Sequence, residues 1–134
     1  MDLVVDANVL FSAAIKDSRT AELLLRDDLA YHAPEYLFCE FAGHRGELLE
    51  KTHRTEDDFG RFVEVLQSQI EQWPAATVRV HLAHAREVCP DPGDVPYFAL
   101  ALHLDAAIWS DDGALADQDA VAVLTTADPL DRLQ

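Results

Sequence analysis

Short apolar segments typical of buried β-strands alternate with longer segments of helical periodicity along this chain. The predicted strands are residues 2–5, 29–32, 78–80, 106–109 and 121–125. The predicted helices are residues 9–16, 18–25 with Ser18 as N-cap, 34–51, 55–72, 82–88 and 96–103, with a closing helical turn at 127–129. Strands separated by helices pair in parallel through right-handed crossovers. The alternation therefore predicts an α/β fold, a three-layer α/β/α sandwich whose central parallel sheet has about four or five strands.

The length of 134 residues favours a single domain over residues 1–134, and 49% hydrophobic residues suffice for an ordinary core. No internal repeat, low-complexity segment or Gly/Ser-rich linker divides the sequence. We expect no targeting signal and no membrane association, because no apolar stretch is long enough to span a bilayer. Cys39 and Cys89 form no CxxC motif, which favours a reduced, cytoplasmic setting.

The charge balance is strongly acidic, with 25 Asp and Glu residues against 10 Lys and Arg residues and a formal net charge of −15. Most of these acids fit a solvated surface that suits a high-salt cytoplasm, where salt screens the repulsion between like charges. A halophilic source is therefore our hypothesis. Because phosphate binding normally relies on Lys and Arg, the charge argues against a nucleic-acid partner unless the chain recruits cations.

Acids follow two of the predicted strands at the point where each strand ends. Asp6 follows the first strand, and Ser110, Asp111 and Asp112 follow the strand at 106–109. Open parallel sheets bind ligands beyond the carboxyl ends of their strands. We therefore expect these side chains to lie at the same edge of the sheet.

Two further acids lie on or beside predicted helices. Glu40 lies among the apolar residues of the helix at 34–51 and is expected to point inward, and Asp94 directly precedes the helix at 96–103. Each acid alone also fits a structural role, as a helix cap or as the partner of a buried base. Capping does not explain an inward glutamate together with acids at one sheet edge. We therefore interpret the set as one site.

Carboxylates gathered this closely repel one another, so they must take up protons or bind cations. Oxygen ligands without His or Cys favour Mg²⁺ or Mn²⁺ over Zn²⁺. Such ions hold phosphates, and the chemistry that fits is in-line attack of water on a phosphodiester. Bound cations would also resolve the conflict between the acidic charge and a nucleic-acid substrate.

Four segments together resemble the PIN-domain family: DANVL at 6–10, PEYLFCEF at 34–41, DPGDVPYFALAL at 91–102 and IWSDDGAL at 108–115. Their order and spacing cover essentially the whole chain. The resemblance implies a compact α/β/α sandwich with a central parallel sheet. It also implies an Mg²⁺- or Mn²⁺-dependent ribonuclease, since most members have that activity. Many members are the toxin of a VapBC toxin–antitoxin pair, so the resemblance implies an antitoxin protein as a partner.

The resemblance assigns four acids to the catalytic and metal site. Asp6 matches the first acid of the family, Glu40 the second, Asp94 the third and Asp112 the fourth. Asp6 and Asp94 are the strongest candidates for metal contact. Glu40 would ligate the metal or orient the attacking water, and the sequence leaves those two roles open.

Four neighbouring polar residues are expected to support these acids. Ser110 and Asp111 match the Thr and Asn that precede the fourth acid in the family, so the fourth acid is ambiguous by one residue. Asn8 matches the small polar residue two positions after the first acid, and Asp91 is a further acid near the third. These residues would fix the geometry of the carboxylates.

Other functions fit the sequence less well. A phosphoacceptor receiver domain needs an acid pair after the first strand and a late lysine, but no lysine follows Lys51. An aspartyl phosphatase prefers D-x-D where this chain has D-A-N, and no GxxxxGK motif supports a P-loop NTPase. The remaining alternative is a catalytically inactive PIN-like scaffold that binds protein or RNA. Homodimerisation is a further expectation, with the apolar faces of the helices between residues 34 and 72 as the candidate surface.

Overall fold

The structure is a computed structural model that describes residues 1–15 and 18–126, with Ser18 described by its backbone alone. Three expectations lie outside the described residues. They are the helical state of Lys16, the capping role of the Ser18 side chain and the closing turn at 127–129.

A five-stranded parallel sheet forms the centre of the fold, in the order β3-β2-β1-β4-β5. The strands are β1 Asp2–Val5, β2 Ala30–Pro34, β3 Ile70–Trp73, β4 Ala107–Trp109 and β5 Val123–Leu124. The middle strand, β1, is apolar and buried from its second residue onward, as expected of a strand covered on both faces. The predicted parallel sheet and its flanking helices are confirmed.

Eight α-helices and two short 3₁₀ helices surround the sheet in the described residues. The α-helices are α1 Ala7–Ile15, α2 Ser18–Leu24, α3 Tyr36–Gly43, α4 Arg45–Lys51, α5 Glu56–Gln69, α6 Ala75–Arg79, α7 Leu82–Val88 and α8 Val95–Leu104. The 3₁₀ helices are Pro92–Asp94 and Gly113–Ala116. Helix α8 packs on β1, β2 and β4 and against α6 and α7, whereas α1 packs against α2, α3 and α4. Within the described part of the chain, no helix has the length and apolarity needed to cross a membrane.

The third strand was predicted wrongly. Residues 78–80 were expected to form it, but Val78 lies in α6, and the strand is β3, at the end of the segment predicted as the 55–72 helix. The helical spacing of Leu66 and Ile70 continues the apolar stripe of α5 into β3, which explains the error. Pairing with β2 along Tyr31↔Ile70 supplies the tertiary contacts that select the extended state.

The helix predicted at 34–51 is two helices, and Pro34 belongs to β2 instead of a first helical turn. The break falls at His44, whose backbone (φ −104°, ψ 9°) leaves the helical region while its N–H donates to the Glu40 and Phe41 carbonyls. Gly43 and Gly46 flank the break, and glycine weakens helix continuation. Glu40 therefore lies in the short helix α3 that directly follows the sheet.

Helix α1, which begins immediately after Asp6, is anchored at its far end by a loop. Thr52 Oγ1 donates to the Ala14 carbonyl over 2.8 Å, and Arg54 Nη1 donates to the same carbonyl over 2.7 Å. The last carbonyls of a helix have no partner within the helix and carry partial negative charge, so a cation there is favourable. These contacts hold the helix that positions Asp6.

Candidate metal centre

The register of the two central strands places Asp6 and Ser110 side by side. Val5 pairs with Trp109, and the Asp6 N–H donates to the Trp109 carbonyl over 3.1 Å. Ser110 Oγ in turn donates to Asp6 Oδ2 over 2.7 Å, and both residues are buried. The sheet itself therefore brings the first predicted acid and its predicted support into contact.

Asp6 is a buried carboxylate with other acids around it. Burial raises its pKa above the ordinary value, and the negative charges of Asp112 and Glu40 raise it further. The Ser110 hydroxyl and the Ala7 N–H act in the opposite direction, because they donate hydrogen bonds to the charged form. The fold thus holds Asp6 in a position where a bound cation would relieve both burial and repulsion.

Asp94 shows the strongest sign of crowding among the acids. It lies at the start of α8, yet its side chain makes no capping hydrogen bond, so the capping alternative does not account for it. Burial raises the pKa of Asp94 to about 7, with further contributions from the charges of Asp6, Asp91, Asp112 and Glu40. All four of these charges are negative and all act on Asp94, so the acids predicted from the sequence form one electrostatic cluster.

Asp111 and Asp112 have different surroundings. Asp111 accepts two hydrogen bonds of 2.6 Å, from the backbone N–H and from the hydroxyl of Thr126, beyond β5. Asp112 is linked to the site, because its N–H donates to Ser110 Oγ over 3.1 Å and its charge acts on Asp6 and Asp94. Asp112 Oδ1 also accepts from the Ala114 N–H over 3.0 Å, so it caps a 3₁₀ helix as well. The geometry favours Asp112 over Asp111 as the fourth acid.

Glu40 reaches the cluster from α3 and is partly buried. Its Oε1 accepts a hydrogen bond of 2.8 Å from the hydroxyl of Tyr97, a residue of α8 that is 1% exposed. The pKa of Tyr97 is raised, first by burial and then by this hydrogen bond, so the hydroxyl keeps its proton and is the donor. Sequence reasoning missed Tyr97. The available signal was a tyrosine inside the apolar VPYFALAL segment, because a buried phenol needs a polar partner.

The two remaining residues predicted for the site, Asp91 and Asn8, are both exposed. Asp91 is exposed and caps the first 3₁₀ helix by accepting from the Gly93 N–H over 2.9 Å, and it also acts electrostatically on Asp94. Asn8 is exposed in the first turn of α1. Its supporting role stays a prediction.

A cation fits the donor chemistry of this cluster. Carboxylate oxygens of Asp91, Asp94 and Asp112 lie within 4.8 Å of one another, and this is the one such group of three among residues 1–15 and 18–126. Asp6 and Glu40 are outside this group of three, but the charges of both act on Asp94. Each has one oxygen engaged in a hydrogen bond, Asp6 with Ser110 and Glu40 with Tyr97. Because all five donors are hard oxygen ligands, the set suits Mg²⁺ or Mn²⁺.

Comparison with known proteins agrees with the motifs and the fold. A crystal structure of VapBC2 from Rickettsia felis, bound to a DNA fragment from its promoter, superposes with a TM-score of 0.68. The alignment covers 93% of this chain and 98% of that one at 12% identity, which shows a shared fold. The sequence comparison with curated proteins finds no match. The family model of the PIN domain matches residues 4–132, and the chain therefore belongs to the PIN-domain family.

Proposed function

We propose that this PIN-domain protein is an endoribonuclease that depends on Mg²⁺ or Mn²⁺. The observation that carries the proposal is the convergence of Asp6, Glu40, Asp94 and Asp112, with Asp91 beside them, at the carboxyl edge of the sheet. Among residues 1–15 and 18–126 no base acts on Asp6 or Asp94, and such a cluster of negative charge is costly unless a cation occupies it. The family supports nuclease chemistry, and RNA as the substrate rests on the resemblance of the motifs.

The residues have distinct parts in this proposal. Asp94 and Asp112 would hold the cation, with the carboxylate of Asp91 within 4.8 Å of theirs. Asp6, whose orientation is fixed by Ser110 and whose charge acts on Asp94, would join them as a ligand. Glu40 would ligate the cation or orient the attacking water. A bound divalent ion would neutralise the phosphate and lower the pKa of water, which is chemistry that carboxylates alone do not supply.

The partners and setting are also proposals. An antitoxin protein is supported by the fold shared with VapBC2. A homodimer through the helices between residues 34 and 72 is a further proposal, for which Tyr36 and Val65 are the exposed large apolar residues, since the other large apolar residues of these helices pack in or against the core. Cys39 and Cys89 are free thiols, which supports a reduced, cytoplasmic location. We propose that residues 1–134 act as one domain. The net charge of −15 supports a halophilic source.

Mn²⁺ titration by calorimetry in high salt, followed by cleavage of a labelled random-sequence RNA pool, tests the function. The informative variant is Asp6→Asn, and the matched control is Asp57→Asn, which removes the same charge from an exposed position on α5. We expect the wild type and Asp57→Asn to bind Mn²⁺ and cleave RNA. Asp6→Asn should retain the fold by circular dichroism, bind Mn²⁺ at least about 10-fold more weakly and lose cleavage.

Two results contradict the proposal in different ways. Equal Mn²⁺ binding by wild type and Asp6→Asn, or none by either, leaves the acids as capping and solvating groups. Specific Mn²⁺ binding without cleavage of any RNA in the pool favours the inactive scaffold that binds protein or RNA.

A further inference from the structure

One buried hydroxyl connects the two helices that carry the acids outside the sheet. Tyr97 OH donates to Glu40 Oε1 over 2.8 Å, across 57 residues of sequence. Tyr97 lies one helical turn after Asp94, so α8 carries one acid at its start and contacts a second acid through this side chain. The position of Glu40 is therefore tied to the helix that places Asp94.

The acceptor of this contact is a carboxyl group, and the length of 2.8 Å is that of a well-formed hydrogen bond from a hydroxyl. A hydrogen bond to an ionised carboxylate is roughly twice as strong as one between neutral groups. Tyrosine also has few rotatable bonds, and Tyr97 is 1% exposed in a packed helix, so its hydroxyl is held in a fixed place. Because Oε1 is engaged by the phenol, the rotamer of Glu40 is selected and Oε2 is the oxygen left for other partners.

A second buried tyrosine shows how the chain satisfies a phenol when no acid is involved. Tyr31 is 2% exposed, and its hydroxyl donates to the backbone carbonyl of Leu23. Tyr97 instead donates to Glu40, a partly buried acid whose charge acts on Asp6 and Asp94. The two buried tyrosines therefore differ in whether the acceptor belongs to the acidic cluster.

We propose that Tyr97 is a positioning residue of the acidic site, whose hydroxyl holds Glu40 in the orientation needed for cation binding and cleavage. The inference rests on the proposed nuclease function and deepens it. Tyr97 acts through Glu40 and does not itself touch the cation or the RNA.

Tyr97→Phe removes the hydroxyl and keeps the ring, and Tyr31→Phe is the matched control at the other buried tyrosine. Each variant is compared with wild type by thermal unfolding, Mn²⁺ calorimetry and the kcat and KM of RNA cleavage. We expect Tyr97→Phe to fold and to lose about 10- to 100-fold in kcat or Mn²⁺ affinity, with KM for RNA near the wild-type value. Tyr31→Phe should change thermal stability alone.

A double-mutant cycle with Glu40→Gln tests whether the effect passes through Glu40. In the Glu40→Gln background, Tyr97→Phe should add no further loss of Mn²⁺ affinity or kcat. An additional, independent loss in that background would overturn the positioning role.

The outcomes separate this inference from the function on which it rests. If the wild type cleaves RNA and binds Mn²⁺, and Tyr97→Phe does both equally well, the role of Tyr97 is overturned and the nuclease function stands. A change in unfolding temperature with unchanged affinity and kcat assigns Tyr97 to packing alone. A wild type that neither binds Mn²⁺ nor cleaves RNA overturns the function and this inference with it.

Discussion

Ser110 Oγ donates to Asp6 Oδ2 over 2.7 Å and accepts from the Asp112 N–H over 3.1 Å. One hydroxyl thus connects the acid at the end of β1 with the loop after β4, across 104 residues of sequence. Ser110 is fully buried, so water does not replace its hydrogen bonds. Its removal is expected to affect both the stability and the metal affinity of the site.

Ser110→Ala should lower the free energy of unfolding by about 1–3 kcal/mol, because it leaves a buried carboxylate without its side-chain donor. It should also weaken Mn²⁺ binding about 10-fold or more, since Asp6 loses its fixed orientation. Urea unfolding at neutral pH and calorimetry measure the two effects. The control is Ser68→Ala on α5, where the hydroxyl is exposed and donates to the Val65 carbonyl of its own helix. Equal stability of the two variants would contradict the role of Ser110.

The stability of the metal-free protein should depend on pH because of the crowding of negative charge at Asp94. Its pKa is raised from 3.8 to about 7 in the folded state. Between these values the folded protein keeps a proton that the unfolded chain has released, so stability falls as pH rises. This loss should be complete above about pH 7, and the raised pKa of Asp6 acts in the same direction.

Urea unfolding with a chelator, between about pH 5 and pH 7, measures this slope. Asp94→Asn should flatten it, whereas Asp57→Asn, at an exposed position on α5, should leave it unchanged. Saturating Mn²⁺ should reverse the trend in the wild type, because the ion binds the deprotonated cluster. A slope that Asp94→Asn leaves intact would exclude this carboxyl as its cause.

The neighbouring acids after β4 should give opposite phenotypes. Asp112→Asn should weaken Mn²⁺ binding about 10-fold or more, because its carboxylate belongs to the oxygen cluster. Asp111→Asn should leave Mn²⁺ affinity unchanged and cause a small loss of thermal stability, since an amide oxygen replaces the carboxylate that accepts twice from Thr126. Calorimetry and thermal unfolding of both variants separate these roles. The reverse pattern would move the fourth ligand to Asp111.

The placement of Asp6 and Asp112 at one edge of the sheet was predictable because it follows from general rules of α/β folds. Asp6 and Asp112 come after short apolar segments typical of buried strands, and the carboxyl ends of parallel strands lie at one edge of a sheet. The register was not predictable, so the direct contact between Asp6 and Ser110 became visible only in the structure. The contact between Tyr97 and Glu40 was hidden for a similar reason, because the two residues are 57 positions apart in the sequence.

The errors in the fold arose where local and tertiary preferences disagree. Ile70 continues the helical spacing of α5, yet pairing with β2 makes it a strand residue at the edge of the sheet. Val78 is β-branched and was expected in a strand, but it lies in helix α6. This helix begins directly after Pro74, the residue that follows β3. The local sequence does not decide between helix and strand at Ile70 or Val78, since β-propensity depends on the partner strand.

Asp6→Asn should make the metal-free protein more stable while it weakens metal binding. The carboxylate of Asp6 is 2% exposed and repelled by Asp112 and Glu40, so a neutral side chain removes an unfavourable charge. Asparagine keeps an oxygen that accepts from Ser110, and its amide group donates hydrogen bonds in an environment rich in carboxylates. We expect a gain of about 1 kcal/mol in the free energy of unfolding with a chelator present. Mn²⁺ should stabilise the wild type by more than it stabilises the variant, because the wild type binds the ion more tightly, so that the order of the two stabilities is reversed. Lower stability of Asp6→Asn with the chelator would show that Asp6 is a structural residue of the fold, held there for its hydrogen bonds.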